Sequence, residues 1–94
     1  MRKEAEASFV VYVIRSERDG GIYTGSTSDL DRRLQEHNNG NTRSTRGRGP
    51  WKVVHTEYLA TKEEAEARER YFKSGSGREK IHRILNRQKE NAER

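Results

Sequence analysis

The 94-residue sequence predicts an α/β chain of the α+β kind: a small three-stranded antiparallel sheet flanked by helices, in the order β-β-α-β-α-α. Three observations carry that expectation. The runs Phe9–Ile14 (FVVYVI) and Trp51–Leu59 (WKVVHTEYL) are rich in β-branched and aromatic residues, which fit a pleated surface and make up segments too short for long helices. A glycine-ended turn separates the first run from Ile22-Tyr23-Thr24, as a hairpin requires. Two later stretches open on helix-start or helix-break signals and then place apolar residues at helical spacing.

Taken in order, Phe9–Ile14 is the first strand, Ser16-Glu17-Arg18-Asp19-Gly20-Gly21 the turn, and Ile22–Thr24 the second strand. Ser28 supplies a hydroxyl at a helix N-cap with Asp31 three residues on, ahead of a short polar helix over Leu30–His37. Asn38-Asn39-Gly40-Asn41 stops it. Thr42–Gly49 sets Arg43, Arg46 and Arg48 among small residues, a composition expected to stay a mobile, positively charged loop that Pro50 closes. After the Trp51–Leu59 strand, Thr61-Lys62-Glu63-Glu64 reads as a capping box opening the longest helix, which runs through Lys73. Ser74-Gly75-Ser76-Gly77 breaks it. Ile81, Ile84, Leu85 and Gln88 then fall at helical spacing and should dock on the sheet, with Asn86–Arg94 trailing into solvent. The expected organisation is a disordered polar arm over 1–8, one domain over 9–90 and a frayed tail over 91–94.

Composition narrows the function. A chain of this length builds one modest core. Hydrophobic residues are 29% and charged residues 37%, and 20 Lys+Arg against 15 Asp+Glu give a net charge of +5, which suits a polyanionic partner. With no cysteine there are no disulfides, thiolate zinc sites or thiol nucleophiles. No apolar run approaches the roughly 20 residues of a membrane span, and no apolar stretch follows the charged start as in a signal peptide. The expectation is a soluble cytoplasmic protein without a membrane partner.

The chemistry-bearing residues are ordinary one at a time. Tyr12 and Tyr23 lie eleven residues apart on neighbouring strands, and a strand tyrosine is usually a half-buried packing residue. Arg33 and His37, at i and i+4, share one helix face, and Glu69 stands in a charge-rich helix with Lys73 at i+4. Together they form an ordered set: Val10-Val11-Tyr12, then Tyr23-Thr24-Gly25, then Arg33 and His37, then Glu69 leading to Lys73-Ser74-Gly75-Ser76-Gly77-Arg78. That set resembles the GIY-YIG nuclease domain over residues 9–85. It is most similar to the small stand-alone bacterial branch, which is similar in turn to the nuclease half of the excision-repair incision enzyme. The stretch Gly20–Gly25 (GGIYTG) holds the letters of the first family motif, yet its Tyr23 belongs to the second, and the first is the divergent Val10-Val11-Tyr12.

The resemblance implies divalent-metal-dependent endonucleolytic hydrolysis of DNA phosphodiesters, with a role in repair or recombination and a place near the bacterial nucleoid. Glu69 matches the family's metal-binding acid, for a single Mg²⁺ or Mn²⁺, ions that prefer oxygen ligands and often take only one or two carboxylates. Tyr12 is the first candidate for the general base and His37 the second. Arg33 favours the Tyr12 phenolate, clamps the scissile phosphate, or does both, Tyr23 hydrogen-bonds phosphate or water, and Gly25 leaves room for the DNA backbone. Nucleic-acid contacts are expected from Ser26, from Arg43, Arg46 and Arg48, and from Lys73, Ser74 and Arg78, although KSGSGRE also reads as a helix cap followed by a new start. Ser26 stands where relatives often carry a phosphate-binding lysine, and Ile81 where many carry an asparagine. His55 and His82 read as surface or packing residues, and Trp51 as core edge. Shape-directed rather than sequence-directed cutting by a monomer, with DNA preferred over RNA and a protein partner for targeting, completes the expectation; a non-catalytic nucleic-acid-binding module that keeps the fold is the alternative.

Overall fold

The computed structural model describes residues 8–92, so most of the expected N-terminal arm and the last two residues of the tail lie outside it. Strands β1 (Phe9–Ser16), β2 (Ile22–Thr27) and β3 (Trp51–Leu59) form one antiparallel sheet in the order β2-β1-β3. Helices α1 (Leu30–Asn38), α2 (Lys62–Lys73) and α3 (Gly75–Ala92) complete the predicted β-β-α-β-α-α order.

Because strand side chains alternate between faces, the run FVVYVI splits its apolar residues between two cores. Val11 and Val13 pack with Ala65 and Phe72 of α2 and with Ile81 and Leu85 of α3. Tyr12 and Ile14 point the other way, onto Trp51, Leu30 and Leu34 beside α1. β1 is buried on both faces because it is the central strand, and β2 is left as an edge. A bulge between Val13 and Ile14 in the β1–β3 pairing inserts Val54 as an extra β3 residue, so that the adjacent Val54 and His55 both face the α2 core while Val53 faces the other.

Several boundaries differ from the sequence reading. The N-cap of α1 is Asp29, not Ser28: the Asp29 carboxylate accepts from the Arg32 amide at 3.1 Å, and an aspartate is as good a cap as a serine. Thr61 and Glu64 form the expected capping box. The Ser-Gly segment breaks the helical path at Ser74 alone, since Gly75 already opens α3. There the Ser74 hydroxyl accepts from the Gly77 amide at 3.2 Å and donates to the Tyr71 carbonyl at 2.6 Å. Gly77 is obligatory at this joint, because a Cβ there would collide with the Tyr71 carbonyl. Nor does the chain trail off after Asn86: α3 continues to Ala92.

The arginine-rich segment is the largest departure. It is built into the domain through a 3₁₀ turn over Arg43–Thr45, with Thr45 fully buried. The composition that promised a free loop overlooked polar anchoring. Ser16 donates to the Arg48 carbonyl at 2.5 Å, Trp51 Nε1 donates to the Thr45 carbonyl at 3.2 Å, and Arg48 forks onto Asp19 at 2.9 Å.

Candidate active site

Tyr12, Tyr23 and His37 meet on the α1 face of the sheet. β1 delivers Tyr12 opposite Gly25 of β2, and the phenol lies across that glycine, so that a Cβ on Gly25 would sit about 2.5 Å from the Tyr12 oxygen. The space that Gly25 leaves is therefore filled by the Tyr12 ring, not left open for a DNA backbone as expected. Tyr12 Oη stands 2.9 Å from His37 Nε2, and His37 Nδ1 stands 2.8 Å from Thr45 Oγ1. The Thr45 hydroxyl is in reach of the Thr42 carbonyl at 3.4 Å. A carbonyl only accepts, so with the Thr45 O–H donating to Thr42 the chain runs one way: Nδ1–H donates to Thr45 and Tyr12 O–H donates to Nε2, the tautomer adopted below. The Tyr23 ring lies tilted against His37, centroids 5.1 Å apart.

Electrostatics keep both Tyr12 and His37 neutral. Burial pushes the Tyr12 phenol up to about 12, and the opposing pull of the Arg33 guanidinium does not offset it. His37 is depressed below its ordinary 6.5, first by burial and then by the nearby Arg33 charge. Tyr12 therefore keeps its proton at neutral pH while His37 stays free to take one. Arg33 itself is pinned by Glu36 at 2.8 Å through one nitrogen and also faces the Tyr12 oxygen, and of its five donors the remainder are left for another acceptor.

Glu69 approaches from the opposite face, over the edge strand. Ser26, two residues beyond Thr24 on the α2 face of β2, donates its hydroxyl to Glu69 Oε1 at 2.7 Å, and Lys73 Nζ meets Oε2 at 2.8 Å. Lys73 also reaches around β2 to within 5.5 Å of the Tyr23 ring. The two halves of the cluster thus straddle β2, and the charge of Glu69 is felt at Tyr12, where it helps raise the phenol. Among the described residues no group of three or more histidine, aspartate or glutamate side chains converges as a metal cage. A lone oriented carboxylate, with water and substrate oxygens for the other positions, fits Mg²⁺-type coordination, and Glu69 is the residue that offers it.

Not every expected residue joins the cluster. Arg48 is committed to Asp19 and lies over the Trp51 ring at 5.0 Å, holding Asp19 at about 2. Ser74 is occupied by the α2–α3 joint. Arg43 and Arg46 are exposed, with Arg46 Nε donating to the Gly40 carbonyl at 3.1 Å, and Lys73 and Arg78 border a cavity next to Tyr23. Thr45 escaped the sequence reading altogether: nothing in RSTRG marks one threonine as the partner of a histidine eight residues earlier. His55, hydrogen-bonded to Glu57 at 3.0 Å and edge-on to Phe72, is a packing residue as expected, and Trp51 is 3% exposed in the core.

Comparison with known proteins agrees with this architecture. A family model described as the GIY-YIG catalytic domain matches residues 8–82. The UPF0213 protein CPE1444 of Clostridium perfringens is 41% identical over 75 residues, covering 79% of this chain and 80% of that protein. The UPF0213 protein VNG_2274C of Halobacterium salinarum is 46% identical over 71 residues, covering 74% and 91%. The solution NMR structure of the UPF0213 protein BH0048 from Bacillus halodurans, 38% identical, aligns with a TM-score of 0.50 over 81% of this chain and 83% of that one.

Proposed function

The chain belongs to the GIY-YIG nuclease family, and from that premise we propose that it is a divalent-metal-dependent endonuclease hydrolysing DNA phosphodiester bonds. The observation that carries the reading is the buried Tyr12–His37–Thr45 hydrogen-bond chain next to the Glu69 carboxylate, a proton path beside a cation ligand.

In this reading the attacking water gives its proton to the Tyr12 oxygen as Tyr12 hands its own to His37 Nε2. A phenol near 12 is a poor source of free phenolate at neutral pH, so passing its proton to a neutral imidazole is what makes Tyr12 a competent base. Thr45 accepts from Nδ1–H and steadies the imidazolium that forms. The free part of the Arg33 fork clamps the scissile phosphate and offsets its developing charge, and Tyr23 hydrogen-bonds the phosphate. Glu69, oriented by Ser26, holds one Mg²⁺ or Mn²⁺, which when bound polarises the phosphoryl oxygen and acidifies water. Arg43, Arg46, Lys73 and Arg78 supply phosphate contacts, whereas Arg48 serves the architecture through Asp19.

Backbone contacts of this kind read shape and not sequence, consistent with a monomeric, structure-directed enzyme of repair or recombination. The nucleoid of the cytoplasm is the proposed location, with a protein partner for targeting. No described helix is long and apolar enough to cross a membrane. The test is cleavage of end-labelled single-stranded, duplex, flap and branched DNA with Mg²⁺ or Mn²⁺, comparing the parent with Glu69→Gln. Metal-dependent cutting lost in the variant, with RNA cut less well, supports the reading. DNA bound but never cut by the parent makes the protein a binding module on a nuclease scaffold.

A further inference from the structure

Between the start of β2 and the α2–α3 joint lies a cavity of about 340 Å³, bordered by Tyr23, Thr24, Phe72, Lys73, Arg78 and His82. Its walls combine an apolar floor from Phe72, a cationic rim from Lys73 and Arg78, and an imidazole. Arg78 and His82 are one turn apart on α3 and both exposed, so they edge the same opening. The cavity owes its form to Gly77, which seats α3 directly against the Tyr71 carbonyl and so fixes how the two helices diverge. Tyr23 is a shared wall, since its ring also packs against His37, and Lys73 is a shared rim, since it also holds Glu69. The proton-handling cluster and the cavity are therefore adjoining compartments.

Its volume lies at the low end of the roughly 300–1,000 Å³ of small-molecule sites, enough for a nucleotide and far too little for a duplex. We propose that the cavity is a subsite for one unpaired nucleotide of the substrate strand beside the bond that is cut. Its phosphate lies on Lys73 and Arg78, its base and sugar lie against the half-buried Tyr23 ring with the buried Phe72 closing the floor beneath, and His82 hydrogen-bonds it at the rim. Aromatic walls next to cations are the general means of holding single nucleotides without reading sequence. The subsite deepens the nuclease reading and rests on it for the word substrate. It assigns His82, which the sequence marks as a surface or packing residue, a place in recognition.

Two measurements test it. In the first, thymidine 5′-monophosphate is titrated into the parent protein and followed by amide NMR. Saturable shifts at Ile22, Thr24 and His82, absent in Arg78→Ala, are expected. Shifts confined to Arg43–Arg46, or none, overturn the subsite. In the second, a fluorescent oligothymidylate is bound to the Glu69→Gln protein across a salt series. Adding Arg78→Ala should weaken binding about fivefold and flatten the slope of log K against log salt by about 0.7, one single-strand phosphate contact. Arg87→Ala, about 180° around α3 from Arg78, should change neither, and equal effects of the two substitutions contradict a localised site. The outcomes separate the two readings. Shifts at the cavity in a parent that cuts no DNA keep the subsite and sink the nuclease; cutting by the parent with no response at the cavity does the reverse.

Discussion

The two halves of the candidate site, one on each side of β2, are built in opposite ways. On the α1 side Tyr12 and His37 are each 1% exposed and every hydrogen bond between them and Thr45 is made inside the protein. On the α2 side the Glu69 and Lys73 side chains are 23% and 47% exposed and pair as an ordinary i,i+4 couple. Proton transfer needs fixed donors, a defined tautomer and little water, which burial supplies. A cation and a phosphate need groups that exchange water quickly, and a surface ion pair worth only about 0.2–0.5 kcal/mol lets go easily. The edge strand keeps these demands apart while its short residues, Gly25 on one face and Ser26 on the other, keep them close.

That contrast can be sharpened or broken in graded steps. Removing the open half by Glu69→Gln should cost the most, about 10³-fold in kcat, while leaving stability nearly unchanged because Glu69 supports no core. Tyr12→Phe should lower kcat by about 10²-fold or more and, unlike Glu69→Gln, also lower stability by about 1–2 kcal/mol, since His37 Nε2 loses its buried donor. A kcat loss without a stability loss in Tyr12→Phe would mean that the buried half is not a built network. Gly25→Ala drives a methyl into the Tyr12 phenol and should destabilise by about 1–3 kcal/mol, seen in denaturant unfolding. Thr45→Val should cost about tenfold in kcat and move the pH profile, and Thr45→Ser should restore both; loss without rescue would reduce Thr45 to a packing role.

The pH dependence of stability supplies two further tests. His37 is depressed in the folded state, so between its folded value and 6.5 the unfolded chain binds more protons, and stability is lost as pH falls through that window. Tyr12 is raised to about 12 from 10.0, so there the folded chain binds more protons, and stability is lost as pH rises through that interval. The alkaline loss should shrink in Tyr12→Phe. An alkaline profile identical in parent and Tyr12→Phe would contradict the burial argument.

How much of this the sequence discloses follows the same divide. Strand and helix identities are local, and FVVYVI, WKVVHTEYL and the Thr61 capping box declare them. Arg33 and His37 are visible through their i,i+4 spacing, and Glu69 through the ordered motif set, though nothing in its charge-rich helix singles it out. Contacts that join distant residues are not legible. Ser26 reads as a missing lysine until it is found 2.7 Å from a carboxylate 43 residues away. Gly25 reads as clearance for a ligand until its cross-strand partner proves to be Tyr12. Arg48 looks like its neighbours Arg43 and Arg46, yet Asp19, 29 residues earlier, claims it. Composition gives the inventory of donors and acceptors, and topology decides which of them are already used.

The central claim, that Tyr12 and His37 form a one-way proton path, is tested most directly by the side-chain ¹⁵N shifts of His37 at neutral pH. The account predicts a neutral ring protonated at Nδ1 and bare at Nε2, ready to receive the Tyr12 proton. A ring protonated at Nε2, donating to Tyr12, would contradict it, because that imidazole has no lone pair facing the base it is meant to serve.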